Sequence, residues 1–202
     1  MIRDKEATKQ RLIDAVGKIL AERGFQNLGV NAIAKEAGVD KVLIYRYFDS
    51  LEGLLQTFLA QKDYFSNLQN FFGASLAFSE KVETIELSKR IFIGQLRQVL
   101  HNKELQEVLL WELNQKNALT DLLAETRETQ GRAILQKMEE FVNFDAVDFP
   151  AIGNLIIGGI YYLVLRSRSV DTYSGINLTT DEGWQRIEKA IVYLLNLVAR
   201  DI

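Results

Sequence analysis

Lys41, Tyr45, Arg46 and Tyr47 crowd one short stretch of the chain, and at helical spacing their long side chains can share an outward side while Leu43, Ile44 and Phe48 turn inward. Lys and Arg neutralise phosphate, Tyr hydroxyls donate to phosphate oxygens, and a helix is the element that fits the major groove of a duplex. Val42 and Leu43 are bulky and apolar, so base reading from this stretch would lean on thymine methyl groups. Together with Asn31 and Asp40 just upstream, the set Asn31, Asp40, Lys41, Val42, Tyr45, Arg46 and Tyr47 is a candidate surface for double-stranded operator DNA.

Two short helices must position these groups. Asn31 to Ala37 is good helix-forming sequence, with Val30, Ile33, Ala34 and Ala37 on one apolar face. Gly38 suits the left-handed position that ends a helix, and Asp40 can cap the next one. Gly38-Val39-Asp40 therefore reads as a tight turn between helices. A helix-turn-helix of this length also serves as a plain structural αα-hairpin in helical bundles, and spacing alone leaves both readings open.

The motif's wording goes further. Gly38-Val39-Asp40-Lys41, Ile44-Tyr45-Arg46-Tyr47-Phe48 and Ser50-x-Glu52-x-Leu54-Leu55 resemble the N-terminal signature of the tetracycline-repressor (TetR) family of transcriptional regulators. Ala34 to Val39 and Arg23-Gly24-Phe25 fit the same pattern, and the resemblance covers about Thr8 to Leu59. Three positions depart from it. Gly29 stands where a Thr commonly opens the first helix of the motif, Val42 where a small residue is usual, and Leu51 where a Lys would contact phosphate. The resemblance implies a ligand-responsive regulator, in the main a repressor, that binds a palindromic operator as a homodimer and is released by a small molecule.

The rest of the composition limits the alternatives. A chain of 202 residues that is 48% hydrophobic can bury a substantial core. With no Cys there is neither a disulfide nor a thiolate metal site. Met1 leads into charged, helix-forming sequence rather than an apolar leader, which with the missing Cys points to the cytoplasm. The apolar run from Ala151 to Leu165 is short for a membrane span and carries Asn154, so a buried helix is expected and no membrane partner. Net charge is −3, but residues 1 to 50 hold nine Lys and Arg against seven Asp and Glu, leaving the acidic excess to the remainder.

No enzyme is expected. His101 is the only His and falls at an expected helix end, where it suits terminal carbonyls. Glu139 and Glu140 splay apart on a helix, and Gly158-Gly159 lacks the flanking Gly and Lys of a phosphate loop, reading instead as a place of close helix packing. Nothing suggests a metal or other cofactor.

The periodicity predicts an all-α protein of about nine helices: a three-helix head over residues 1–50 and a helical bundle over 51–202 for ligand binding and dimerisation. Helices are expected over 4–23, 51–72, 83–101, 103–113, 118–142 and 151–166, with a last one after a Thr179-x-x-Glu182 capping box. The charges at the start of the chain, Arg3, Lys5, Lys9 and Arg11, read as a solvated face that can also reach the DNA backbone. Ser50 is expected to cap the 51–72 helix, which would connect head and body. Residues 73–82 and 167–180 read as loops. Phe92, Leu96, Trp111, Met138, Phe141 and Tyr161, with Asn154 and Tyr162 as polar groups, are the candidate lining of a pocket for a small apolar or aromatic effector. By the resemblance, the last two long helices form the dimer, and Ile191, Leu194, Leu195 and Val198 are the candidate interface. The rival reading is a helical small-molecule binding or interaction protein whose head does not read DNA, suggested by Leu51 and Val42.

Overall fold

The structure is a computed structural model that describes residues 2–62, 81–140 and 147–201, with backbone alone for 2–4, 81–83 and 201. Its helices are α1 (Ile2–Arg23), α2 (Val30–Ala37), α3 (Val42–Phe48), α4 (Leu51–Lys62), α5 (Lys81–His101), α6 (Lys103–Asn114), α7 (Ala118–Glu139), α8 (Phe149–Arg166) and α9 (Asp181–Asp201). A 3₁₀ turn, Phe25–Asn27, follows α1. The all-α expectation is borne out.

The chain divides into two compact units, Met1–Phe65 with Asn102–Glu128 and Ser66–His101 with Thr129–Ile202, the boundary falling within α7. In the first unit α1 is the centre. Its stripe of Leu12, Ile13, Val16, Ile19 and Leu20 is fully or nearly fully buried, packing on α2, α4 and α6. Ile33, Ala34 and Ala37 of α2, Ile44 and Phe48 of α3, and Leu54, Leu55, Phe58 and Leu59 of α4 close the same core. Phe25, just after α1, is only half-buried. That α6 packs with this unit had no signal in the sequence. Its Glu107, 6% exposed, accepts a hydrogen bond from the Phe25 N–H at 3.3 Å and so holds the turn after α1.

Charge ties α1 to α2 as well. Lys18 and Arg23 both reach Glu36, at 2.5 and 2.6 Å. The Lys18 and Arg23 cations hold the Glu36 carboxyl below the usual carboxylate range. A lowered acid stabilises the fold above its unfolded value, so this tie is present at neutral pH and is lost as acid takes the pH through the folded value.

In the second unit α5 packs against both α8 and α9. Phe92, Leu96 and Val99 of α5 meet a core that also contains Ile156, Ile160 and Val164 of α8 and Trp184, Ile191 and Leu195 of α9. Trp184 donates its Nε1–H to the Leu178 carbonyl at 2.9 Å, which satisfies its one polar atom. Arg97 of α5 forks onto Glu188 of α9 at 2.6 and 2.9 Å.

Several boundaries differ from expectation for identifiable reasons. Lys81 and Val82, expected in a loop, belong to α5. The expected end of the fourth helix at Phe72 lies outside the described residues, as does Phe141. α8 begins two residues early because Asp148 caps it, accepting from the Ala151 N–H at 3.0 Å with Pro150 in the first turn. The cap of α9 is Thr180, whose Oγ1 accepts from the Gly183 N–H at 3.2 Å, rather than Thr179, whose hydroxyl donates to Asn177. The 167–180 stretch is not all loop either. Thr172–Tyr173 pairs antiparallel with Ile176–Asn177, forming a two-strand hairpin around Ser174 and Gly175 at positive φ.

Candidate nucleic-acid interface

α2 ends as the sequence requires. Gly38 adopts φ 64°, ψ 39°, the Gly38 N–H bonds the Lys35 carbonyl at 3.2 Å and the Val39 N–H bonds the Ala34 carbonyl at 3.0 Å. This paired closure at a left-handed residue is one that a side chain at position 38 would strain. The chain then re-enters a helix through Asp40. Its Oδ1 accepts from the Val42 N–H at 2.8 Å, and the first turn is tightened by Leu43 N–H to Asp40 O and Ile44 N–H to Lys41 O, both 3.0 Å. Asp40 thus acts on the backbone of α3, setting where Lys41 and Val42 project.

With Ile44 and Phe48 buried in the head, the other side of α3 is presented outward. Lys41, Val42, Tyr45 and Arg46 are exposed, Val42 by 54% and Tyr45 by 52%. Asn31 is exposed at the start of α2. Among the described residues neither Lys41 nor Arg46 forms an ion pair, so both charges are available to an anion. Tyr47 is half-buried, and the Lys5 ammonium of α1 lies 5.6 Å from its ring centre. That contact brings a cation from α1 beside the α3 side chains. Lys18 and Arg23, by contrast, are engaged by Glu36.

At the far end of α3, Ser50 caps α4 as expected, its Oγ accepting from the Gly53 N–H at 3.0 Å. Gly53 itself has no signal in the sequence beyond being a glycine. A Cβ there would overlap the Phe48 carbonyl oxygen, so its bare backbone is what lets α4 leave α3 at this angle.

The other described candidate residues are divided between the two units and between core and surface. Phe92, Leu96 and Met138 are buried in the second unit, where the Tyr161 hydroxyl accepts from Gln95 Nε2 at 3.0 Å. Trp111 belongs to the first unit, its Nε1–H donating to Gln115 at 3.0 Å. Asn154 and Tyr162 are exposed on α8 rather than lining an interior, because they fall on the side of that helix opposite Ile156, Ile160 and Val164. Tyr162 instead meets Tyr173 of the hairpin edge-on, ring centres 5.6 Å apart. Of the four expected interface residues, Ile191 and Leu195 are buried in their own unit, Val198 is half-buried and Leu194 is 47% exposed. Gly158 and Gly159, expected to be closely packed, have nothing within 4 Å of where a Cβ would stand. α8 is long and apolar enough by length and composition alone to cross a membrane, and only 22% of it is buried.

This geometry defines a helix-turn-helix head with its second helix presented outward. Residues 12–57 match the model of the family described as bacterial regulatory proteins, tetR family, so the likeness to that family lies in the head of this chain. Two uncharacterized HTH-type transcriptional regulators of Mycobacterium tuberculosis are 40% identical over 52 residues, and that match spans about a quarter of either protein, 26% of this chain and 26% of each relative. The fold extends further than the sequence likeness. The fatty acid degradation regulator FadR from Bacillus halodurans superposes with TM-score 0.65 at 23% identity, covering 93% of this chain and 94% of that one. FadR from Bacillus subtilis, in complex with stearoyl-CoA, gives 0.63 at 19% identity over 92% and 96%. A TetR-family regulator from a Rhodococcus species gives 0.65 at 18% identity over 95% and 98%. The family and these similar structures are transcriptional regulators, not enzymes.

Proposed function

We propose that the protein is a ligand-responsive transcriptional repressor that binds a palindromic operator as a homodimer through α3 and is released by a small, largely apolar effector. One observation carries the DNA-binding half: the α3 side that the head does not bury presents Lys41, Val42, Tyr45 and Arg46 together, with both cations unpaired among the described residues. The test is a gel-shift against the DNA flanking the protein's own gene. Arg46→Ala removes an exposed side chain, so it is expected to weaken operator binding by about 1–3 kcal/mol with an unchanged thermal midpoint. Lys41→Ala, taking away a phosphate partner, is expected to weaken all sequences alike and to flatten the salt dependence. Full-strength binding by both variants would remove α3 from the interface.

For the effector, the similarity in fold to a FadR holding stearoyl-CoA makes a long-chain acyl-CoA the first compound to titrate, and the apolar side chains of the second unit suit the acyl chain. An effector acts only through its differential affinity for the DNA-competent and released forms. A 100-fold loss of operator binding needs about 2.7 kcal/mol of coupling, and saturating operator must then weaken effector binding by the same factor. Titrating stearoyl-CoA with and without operator measures both sides. Equal affinities in the two titrations would exclude it as the effector.

A further inference from the structure

We infer that Val42 reads a thymine methyl group, one in each half of the operator, and is the specificity-determining apolar contact of α3; the inference rests on the DNA-binding reading above. Val42 takes no part in the core of the head. Its neighbours at the inward positions, Ile44 and Phe48, are 0% and 9% exposed, whereas Val42 is 54% exposed and leaves its two methyl groups in water. A β-branched side chain is also a poorer helix former than the Ala, Lys or Glu that a solvated first-turn position favours. Neither core packing nor local propensity therefore accounts for it.

Its placement is fixed, not loose. The Val42 N–H is held by Asp40 Oδ1 at 2.8 Å, and the turn before it by the Gly38 closure, so the side chain leaves the first turn of α3 in a set direction. One turn on, Tyr45 and Arg46 project from the same side. The first residues of a helix laid in the major groove are the ones that meet base edges, and Lys41 and Arg46 on either side of Val42 can take the phosphates or guanines. Of the groups displayed in that groove, an aliphatic side chain can recognise only one, the C5 methyl of thymine. A hydrogen-bonding edge against Val42 would lose its water and gain no partner.

The experiment separates this claim from the function it rests on. Fragments bound by the full-length chain are first selected from genomic DNA, and each thymine of the bound site is then replaced singly by deoxyuridine, which removes the methyl and nothing else. At one thymine of each half-site the replacement is expected to weaken wild-type binding about fourfold, the equivalent of one apolar carbon at ~0.8 kcal/mol. Val42→Ala should bind the thymine operator about fourfold more weakly per half-site and be indifferent to uracil at that position while responding normally elsewhere. Because Val42 is exposed, its thermal midpoint should not move, which separates a lost contact from a damaged head. Equal sensitivity to uracil in wild type and Val42→Ala, or no sensitive thymine in an operator that is bound selectively, would overturn the assignment and leave the regulator reading intact. Failure to select any fragment would overturn both.

Discussion

Gly53→Ala is expected to destabilise the head by about 3 kcal/mol, although alanine is the better helix former. The sign is decided by two opposing terms. In an open helix position the exchange stabilises by ~0.8–1 kcal/mol, since glycine loses more backbone freedom on folding. At Gly53 the new Cβ would overlap the Phe48 carbonyl oxygen, which is backbone and already accepts from the Ser50 N–H at 2.8 Å. No side chain can swing aside to relieve it, so α3 and α4 must separate, and the outward side of α3 moves with them. For a chain of this size the loss corresponds to a midpoint lowered by about 6–12 °C, accompanied by weaker DNA binding. Gly131→Ala is the control. It lies inside α7 with nothing within 4 Å of where a Cβ would stand, and should raise the midpoint slightly. Thermal melts of the two variants should therefore move in opposite directions; a Gly53→Ala protein as stable as wild type would mean that α3 and α4 do not approach each other this closely.

The close approach at Gly53 is invisible in the sequence, whereas much of the surrounding fold is legible there. The helices are legible because their apolar positions recur at helical period, and the turn between α2 and α3 because only glycine takes the backbone that Gly38 adopts at no cost. Ser50 can be read as a cap since it sits directly before Leu51, and Asp40 since it follows the helix-ending Gly38 and precedes the Val42-Leu43-Ile44 run by one residue. Local pattern does not report which of two adjacent hydroxyls wins a cap, and Thr180 rather than Thr179 holds α9 because Asn177 engages Thr179 first. Nor does it report which helix meets which. Leu105, Val108, Leu109 and Trp111 read as ordinary body helix, yet α6 belongs with the head unit through contacts such as Glu107 to Phe25, far apart in the chain. Trp111 falls in the first unit and Phe92 and Met138 in the second, although all three are large apolar side chains, and that class of side chain carries no address. The candidate interface set divides for the same reason: a broad apolar stripe on α9 contains both the residues its own unit buries and those it leaves outside, and periodicity cannot separate them.

That division sharpens the dimer proposal. Ala151, Leu155, Gly158, Gly159 and Tyr162 form one exposed line along α8, with Leu155 77% exposed, and α9 exposes Tyr193 by 61% and Leu194 by 47%. Large apolar side chains left in water side by side along a helix are what a surface covered by another molecule presents. A twofold-related copy would lay the same residues against themselves, and the bare glycines would let the helices approach closely. Leu155→Asp and Leu194→Asp, made separately, are then expected to abolish the dimer. Each places a carboxylate in an apolar contact at a cost of several kcal/mol, and in an isologous interface each counts twice. Both side chains are exposed in the single chain, so the subunit should still fold with its thermal transition intact. Operator affinity should fall about 100-fold or more, because the second head then no longer binds at the high effective concentration its partner provides. Leu113→Asp, 72% exposed on α6, is the matched control and should leave association unchanged. Sedimentation at micromolar concentration reads the result directly: a wild-type monomer, or a Leu155→Asp protein that remains a dimer, would show that this face is not where two copies meet.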